Sequence, residues 1–227
     1  MIRKLAVFGC SYSDYLPLNH TVYGLELSAL LNSQYLHEGA GAGSNWRIWR
    51  RLGTMAVNGE LTAEDAVIIQ YTSVDRREFW SRRRGRVETR LSHICRDPGP
   101  ESGELLRYKA MSWQWQDHRA ERNFLKDYEQ NFLSIQHEMS LFELQHLQFQ
   151  LMLNYFKLRV IFIDCRHTPI RPLPLIAPFA EWTWTEPQSL QDDFCYNYAQ
   201  DDNSHLSDQG HKHLAELLYQ HTVRLGW

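Results

Sequence analysis

"DAVIIQYTS" (residues 65–73) is the stretch on which the fold assignment turns. It places Ala66, Val67, Ile68 and Ile69 in direct succession, without the polar alternation of a strand that has one face in water. An unbroken β-branched run of this length suits a strand covered on both faces, as in a parallel sheet sandwiched by helices. "RVIFIDC" (159–165) has the same character, and "KLAVFG" (4–9) is a shorter version that stops at a glycine. "SQYLHEG" (33–39) supplies a fourth strand and runs into the glycine-rich turn "AGAGSN".

Helical spacing fills the intervals between these runs. "TVYGLELSALLN" (21–32) and "NWRIWRRLGTMAV" (45–57) repeat apolar residues every three to four positions. A long amphipathic stretch over 122–158 reads as one helix or two with a break, and "HLSDQGHKHLAELLYQHTVRLGW" (205–227) opens with the cap-type residues Ser207 and Asp208. Strands alternating with helices predict an α/β fold: a three-layer α/β/α sandwich around a doubly wound, mainly parallel sheet. One domain over residues 1–227 is expected, with an insertion at about 76–118, where periodicity gives way to arginines and the turn-rich "PGPESG". The proline-rich stretch from His167 to Glu186 is expected to be an ordered loop over one end of the sheet.

Composition narrows the function classes. A formal charge of -3 gives no general attraction to nucleic acid or to an anionic membrane. No apolar run reaches membrane-span length and the opening one is too short for a signal-peptide core, so the expected location is cytoplasmic. Cys10, Cys95, Cys165 and Cys195 form no CxxC pair, which argues for free thiols over a zinc knuckle or a disulfide framework.

In a doubly wound sheet the ligand site lies beyond the carboxyl ends of the strands. There the first strand delivers "FGCSYSD" (8–14), small side chains capable of nucleophilic chemistry. A serine hydroxyl needs a base to take its proton, a third group to orient that base, and donors for the oxyanion. Ser11 is the nucleophile candidate, with Ser13 one step further into the loop and Cys10 facing the opposite way. "DDNSHLSDQGH" (201–211) offers Asp202 and His205, three residues apart, so that one turn can bring a carboxylate beneath an imidazole. His211 and His213 invite a metal with His205, but no carboxylate or cysteine at ligand spacing accompanies them, and no metal or other cofactor is expected.

"FGCSYSD", "GAGAGSN" and "DDNSHLSDQGH" resemble, in order, the first, second and fifth sequence blocks of the SGNH (GDSL-type) hydrolases. The motifs span the chain from end to end but cover only about thirty positions. The resemblance implies a flavodoxin-like fold and an esterase acting through an acyl-enzyme. Ser11 is then the nucleophile, with its backbone N–H in the oxyanion hole, Gly41 or Gly43 a second backbone donor, and Asp202 with His205 the acid and base. Two positions depart from the family pattern: Cys10 stands where an aspartate precedes the serine, and "IIQYTSVDRREFW" carries no asparagine at the third block, where the family takes a side-chain donor. Asn45, Gln70, Thr72 and Ser73 are the candidate replacements. Loss of one such donor costs about 3–4 kcal/mol of transition-state stabilisation.

The same resemblance points to small-acyl esters. O-acetylated carbohydrate is the preferred class, a lipid ester or thioester the enzymatic alternative, and a degenerate carbohydrate-binding or assembly module the non-enzymatic one. Arg76 and Arg77 open a run of seven arginines against two glutamates and are candidate contacts for an anionic substrate. Trp182 and Trp184, two apart, face the same way in an extended segment and are candidates for substrate covering or for packing.

Overall fold

The computed structural model of the chain describes residues 2–9, 21–39, 44–72, 74, 79–81, 85–87, 134–164, 175–184 and 206–227. Its main sheet has five strands: β1 (Lys4–Gly9), β2 (Gln34–Gly39), β3 (Ala66–Tyr71), β6 (Arg159–Asp164) and β7 (Ala180–Trp184). All pairings in it are parallel and the spatial order is β2-β1-β3-β6-β7. A separate antiparallel hairpin joins β4 (Phe79–Ser81) to β5 (Gly85–Val87). Four helices complete the described elements: α1 (Tyr23–Leu30), α2 (Asn45–Val57), α3 (Ile135–Phe156) and α4 (Asp208–Arg224).

The side-chain period of two sorts each central strand between two layers. Leu5, Val7, Ala66, Ile68, Ile161 and Ile163 join Tyr23 and Leu27 of α1 and Leu214, Ala215 and Leu218 of α4 in one core. Ala6, Phe8, Val67, Ile69, Val160 and Phe162 join Ile48, Trp49 and Leu52 of α2 and Phe142, Phe149 and Leu153 of α3 in the other. All six residues of β3 are buried, which is why its sequence shows no alternation. The chain is therefore a three-layer α/β/α protein with a doubly wound parallel sheet.

Helix starts follow their local chemistry. Ser44, Ser134 and Ser207 each accept a hydrogen bond from the backbone N–H three residues on, capping α2, α3 and α4. The α1 helix has no side-chain cap and is held instead by close packing. A Cβ on Gly24 would come within 2.8 Å of both Tyr35 and Val7, so a bare backbone is what lets α1 approach the sheet.

Two expectations are corrected. The stretch 167–186 is not loop throughout, because 180–184 is the edge strand β7, paired to β6 with a register shift between Phe162 and Ile163. "AEWTW" alternates polar and apolar side chains, and its strand character comes from pairing with β6, which the neighbouring prolines mask. Within the 76–118 segment, read as aperiodic, 79–87 contains the β4–β5 hairpin; residues 88–118 lie outside the described residues. The helix expected over 122–158 is described from Ile135, with 122–133 likewise outside.

Candidate active site at the carboxyl end of the sheet

The winding reverses between β1 and β3: from β1 the chain moves outward to β2, then returns across β1 to β3 and continues the other way. In open α/β sheets the crevice at such a reversal is where ligands bind. Gly9 and Tyr71 are the last strand residues on its two sides.

Asn45 and Thr72 meet there. The Thr72 backbone N–H donates to Asn45 Oδ1 at 2.9 Å, and Asn45 Nδ2 donates to the Thr72 carbonyl at 2.8 Å. Both residues are buried, so the carboxamide acts as a substitute strand partner for a backbone that has just left the sheet. Asn45 is in turn fixed by the start of α2. Besides the Ser44 cap, Arg47 Nη1 donates to the Glu38 carbonyl at 2.7 Å, and Arg51 Nε donates to the Glu38 carboxylate at 3.0 Å. The Thr72 hydroxyl is different. It is fully buried and has no hydrogen-bond partner among the described residues.

On the α1/α4 side, the Tyr23 hydroxyl donates to Gln70 Oε1 at 3.4 Å, and the Tyr23 backbone N–H donates to His211 Nδ1 at 3.2 Å. The Tyr23 and His211 rings stack with centroids 6.2 Å apart. This bond ties the first turn of α4 to the first residue of α1 and occupies a ring nitrogen of His211. His213 is part-exposed on the same helix, 3.9 Å from Glu216. No group of three metal-ligating side chains occurs among the described residues.

On the α2/α3 side a buried polar chain runs under the end of β3. The Ile176 N–H donates to Gln150 Oε1, which turns the amide nitrogen of Gln150 toward His146 Nε2 at 2.6 Å. His146 Nε2 is then the acceptor, so the neutral ring carries its proton on Nδ1 and donates to Tyr71 Oη at 2.8 Å. Trp49 Nε1 donates to the same oxygen at 3.0 Å. Burial pushes His146 down to about 4 and raises the Tyr71 hydroxyl well above its usual range, so both stay neutral. Sequence reasoning missed this network. Its signal is a histidine in the apolar row Phe142, His146, Phe149, Leu153.

Trp182 belongs to this layer too. Its ring packs against Phe162, His146 and Tyr71 with centroids 5.2, 5.6 and 5.8 Å apart. Two residues on in β7, Trp184 pairs through its backbone with Ile163 of β6. Asn45 and Thr72 are thus brought together, with Gln70 in the strand between Tyr23 and Thr72. Ser11, Gly41, Gly43, Ser73, Arg76, Arg77, Asp202 and His205 lie outside the described residues. Among the described residues, no helix is long and apolar enough to cross a membrane.

No protein-family model matches the chain. No curated protein matches it either. Among solved structures it is similar to one from Desulfitobacterium hafniense DCB-2, a protein proposed to be lipolytic and of the G-D-S-L family. The TM-score is 0.48 at 9% identity, over 96% of this chain and 98% of that one.

Proposed function

We propose that the chain is a serine-dependent ester hydrolase whose nucleophile, base and orienting acid are Ser11, His205 and Asp202. The observation that supports this reading is the reversal of winding between β1 and β3, whose last strand residues are Gly9 and Tyr71, at the kind of crevice where open α/β sheets bind ligands. Leu5 to Phe8 pair in order with Ala66 to Ile69. Leu206, the residue after His205, is buried in the α1/α4 layer.

On this reading Ser11 Oγ bonds to the ester carbonyl carbon while its proton passes to His205, and the carbonyl electron pair moves onto oxygen. Collapse of that intermediate expels the alcohol, which takes the proton from His205. Water then repeats the sequence on the acyl-enzyme and releases the acid. Asp202 holds the imidazole in the tautomer that can accept, and the backbone N–H groups of Ser11 and of Gly41 or Gly43 face the oxyanion. No cofactor enters this chemistry. Small-acyl esters are the proposed class, O-acetyl groups on carbohydrate first among them, with Arg76 and Arg77 available to an anionic substrate.

A fluorophosphonate that modifies activated serines tests the reading directly. Stoichiometric labelling mapped to Ser11, abolished in Ser11→Ala and accompanied by loss of acetate release by about 10⁴-fold or more, is the expected result. Wild-type protein that is folded and takes up no label removes the hydrolase reading in favour of a binding module.

A further inference from the structure

We propose that the outer face of α3 is a dimer interface, on which a second copy of this chain packs with its own α3 antiparallel to the first. The hydrolase reading above plays no part in it.

A surface helix buries one apolar stripe and turns charged and polar residues to water. Beyond their buried positions α2 carries Arg47, Arg50 and Arg51, and α4 carries Lys212, Glu216 and Arg224. The α3 helix is different. Its buried stripe is Phe142, His146, Phe149 and Leu153. On the opposite side a second apolar stripe, Leu144, Leu147, Leu151 and Tyr155, repeats at the same spacing of three to four residues. Leu144, Leu151 and Tyr155 are 54%, 62% and 80% exposed, and Leu147 is half-buried. From Ile135 to Phe156 there is no Lys or Arg, and the two carboxylates, buried Glu138 and half-buried Glu143, stand off this stripe. A helix that is apolar on both sides is one that is covered on both sides.

The lack of charge selects what covers it. A helix that lies on a membrane surface draws on Lys and Arg beside its apolar face, and α3 has neither. A charged partner would find no ion on the stripe to pair with. Two copies of the same stripe meet without repulsion, and their spacing is self-complementary. About a two-fold axis between positions 147 and 148, Leu144 meets Leu151 of the second copy and Ser140 meets its Tyr155, so the smallest side chain faces the largest. The antiparallel order also sets the positive end of one helix dipole beside the negative end of the other.

Area bears on the same choice. The stripe from Ser140 to Tyr155 is about 22 Å long and about 10–12 Å wide, short of the roughly 800 Å² per copy that a stable dimer buries. A neighbour therefore has to contribute. The Ile176 N–H donates to Gln150, which lies one helical turn from Leu147. Leu175, Ile176 and Phe179 are all exposed, so apolar surface continues from α3 onto the segment that leads into β7.

Sedimentation velocity on the full chain at about 1–100 µM tests this. The wild type is expected to sediment as a dimer of the 26.9 kDa chain. Leu144→Glu with Leu151→Glu is expected to raise the dissociation constant about 100-fold or more without changing the circular dichroism. An equimolar mixture of Leu144→Cys and Leu151→Cys is expected to cross-link on mild oxidation beyond either variant alone and beyond the wild type. A wild type that is monomeric throughout overturns the proposal, as does a dimer whose affinity the two glutamates leave unchanged. Cross-linking that is strongest within each single cysteine variant overturns the antiparallel arrangement. A monomer whose glutamate variant melts well below the wild type shows the stripe to be covered by the chain's own residues, which overturns it too.

Discussion

At the amino end of β1 and β3 the buried Asp65 carboxylate is saturated: Arg3 donates to both oxygens at 2.9 and 2.6 Å, and the Thr62 backbone N–H donates at 2.8 Å. At the carboxyl end of the same two strands, the Thr72 backbone is saturated by Asn45 while its hydroxyl has no described partner. The two ends share strands, register and depth of burial, so the contrast does not come from the fold. The amino end has the satisfied polar groups expected of a structural closure. The carboxyl end leaves the Thr72 hydroxyl without a partner among the described residues while Asn45 holds its backbone on both polar groups.

The largest break in this contrast is expected from Asn45→Ala. It leaves the Thr72 N–H and C=O unpaired in a buried setting, at a combined cost of about 4 kcal/mol. Equilibrium unfolding in urea reads this directly, and the proposed hydrolase activity should fall with it because the strand end loses its anchor. Asn45→Asp keeps the acceptor for the Thr72 N–H and loses the donor to the carbonyl. A stability loss under about 1 kcal/mol in Asn45→Ala would show that water replaces the carboxamide and that the carboxyl end is open rather than sealed.

A second, smaller effect sharpens the comparison through pH. His146 has a folded-state value near 4 against an ordinary 6.5, so between these values the unfolded chain binds the proton and the folded one does not. Stability from the neutral ring is then fully present above about pH 6.5 and is lost as pH falls toward 4, by at most about 3 kcal/mol. The geometry explains the direction. A second ring proton on Nε2 would face the amide nitrogen of Gln150, in a site closed to water. Urea melts at pH 7 and pH 4.5 should show this loss in wild type and a smaller one in His146→Phe. Equal pH slopes would mean that the ring is hydrated or its tautomer reversed.

What the sequence disclosed depended on how local each signal was. Strand β3 was readable because burial on both faces leaves an unbroken apolar run, and α2 because its amphipathic period is regular over 45–57. Strand β7 was hidden because "AEWTW", although it alternates polar and apolar side chains, is only five residues long and follows prolines, and its pairing with β6 is a contact no local pattern encodes. At the site, Asn45 and Thr72 could be nominated as polar residues near strand ends. Their mutual clamp could not, because they are 27 positions apart and share no motif. The Tyr71–His146 bond crosses 75 positions, and helical periodicity alone treats His146 as a flaw in an apolar row.

The smallest effect belongs to the amino end and asks whether it is purely structural. Burial alone would raise the Asp65 carboxyl, but the hydrogen bonds from Arg3 and from the Thr62 N–H outweigh it and hold the group below its ordinary value. Stability linked to Asp65 is therefore present above the unfolded carboxyl range and is lost as pH falls through the lowered folded value. Arg3→Ala removes one set of these donors, so its melting temperature should drop and its acid transition should move to higher pH, while kcat at pH 7 stays at the wild-type level. Because Arg3 and Thr72 sit at opposite ends of the same strands, a fall in kcat here would show that β1 and β3 transmit strain along their length. The two ends would then be one coupled unit, and the division between structural closure and reactive rim would have to be given up.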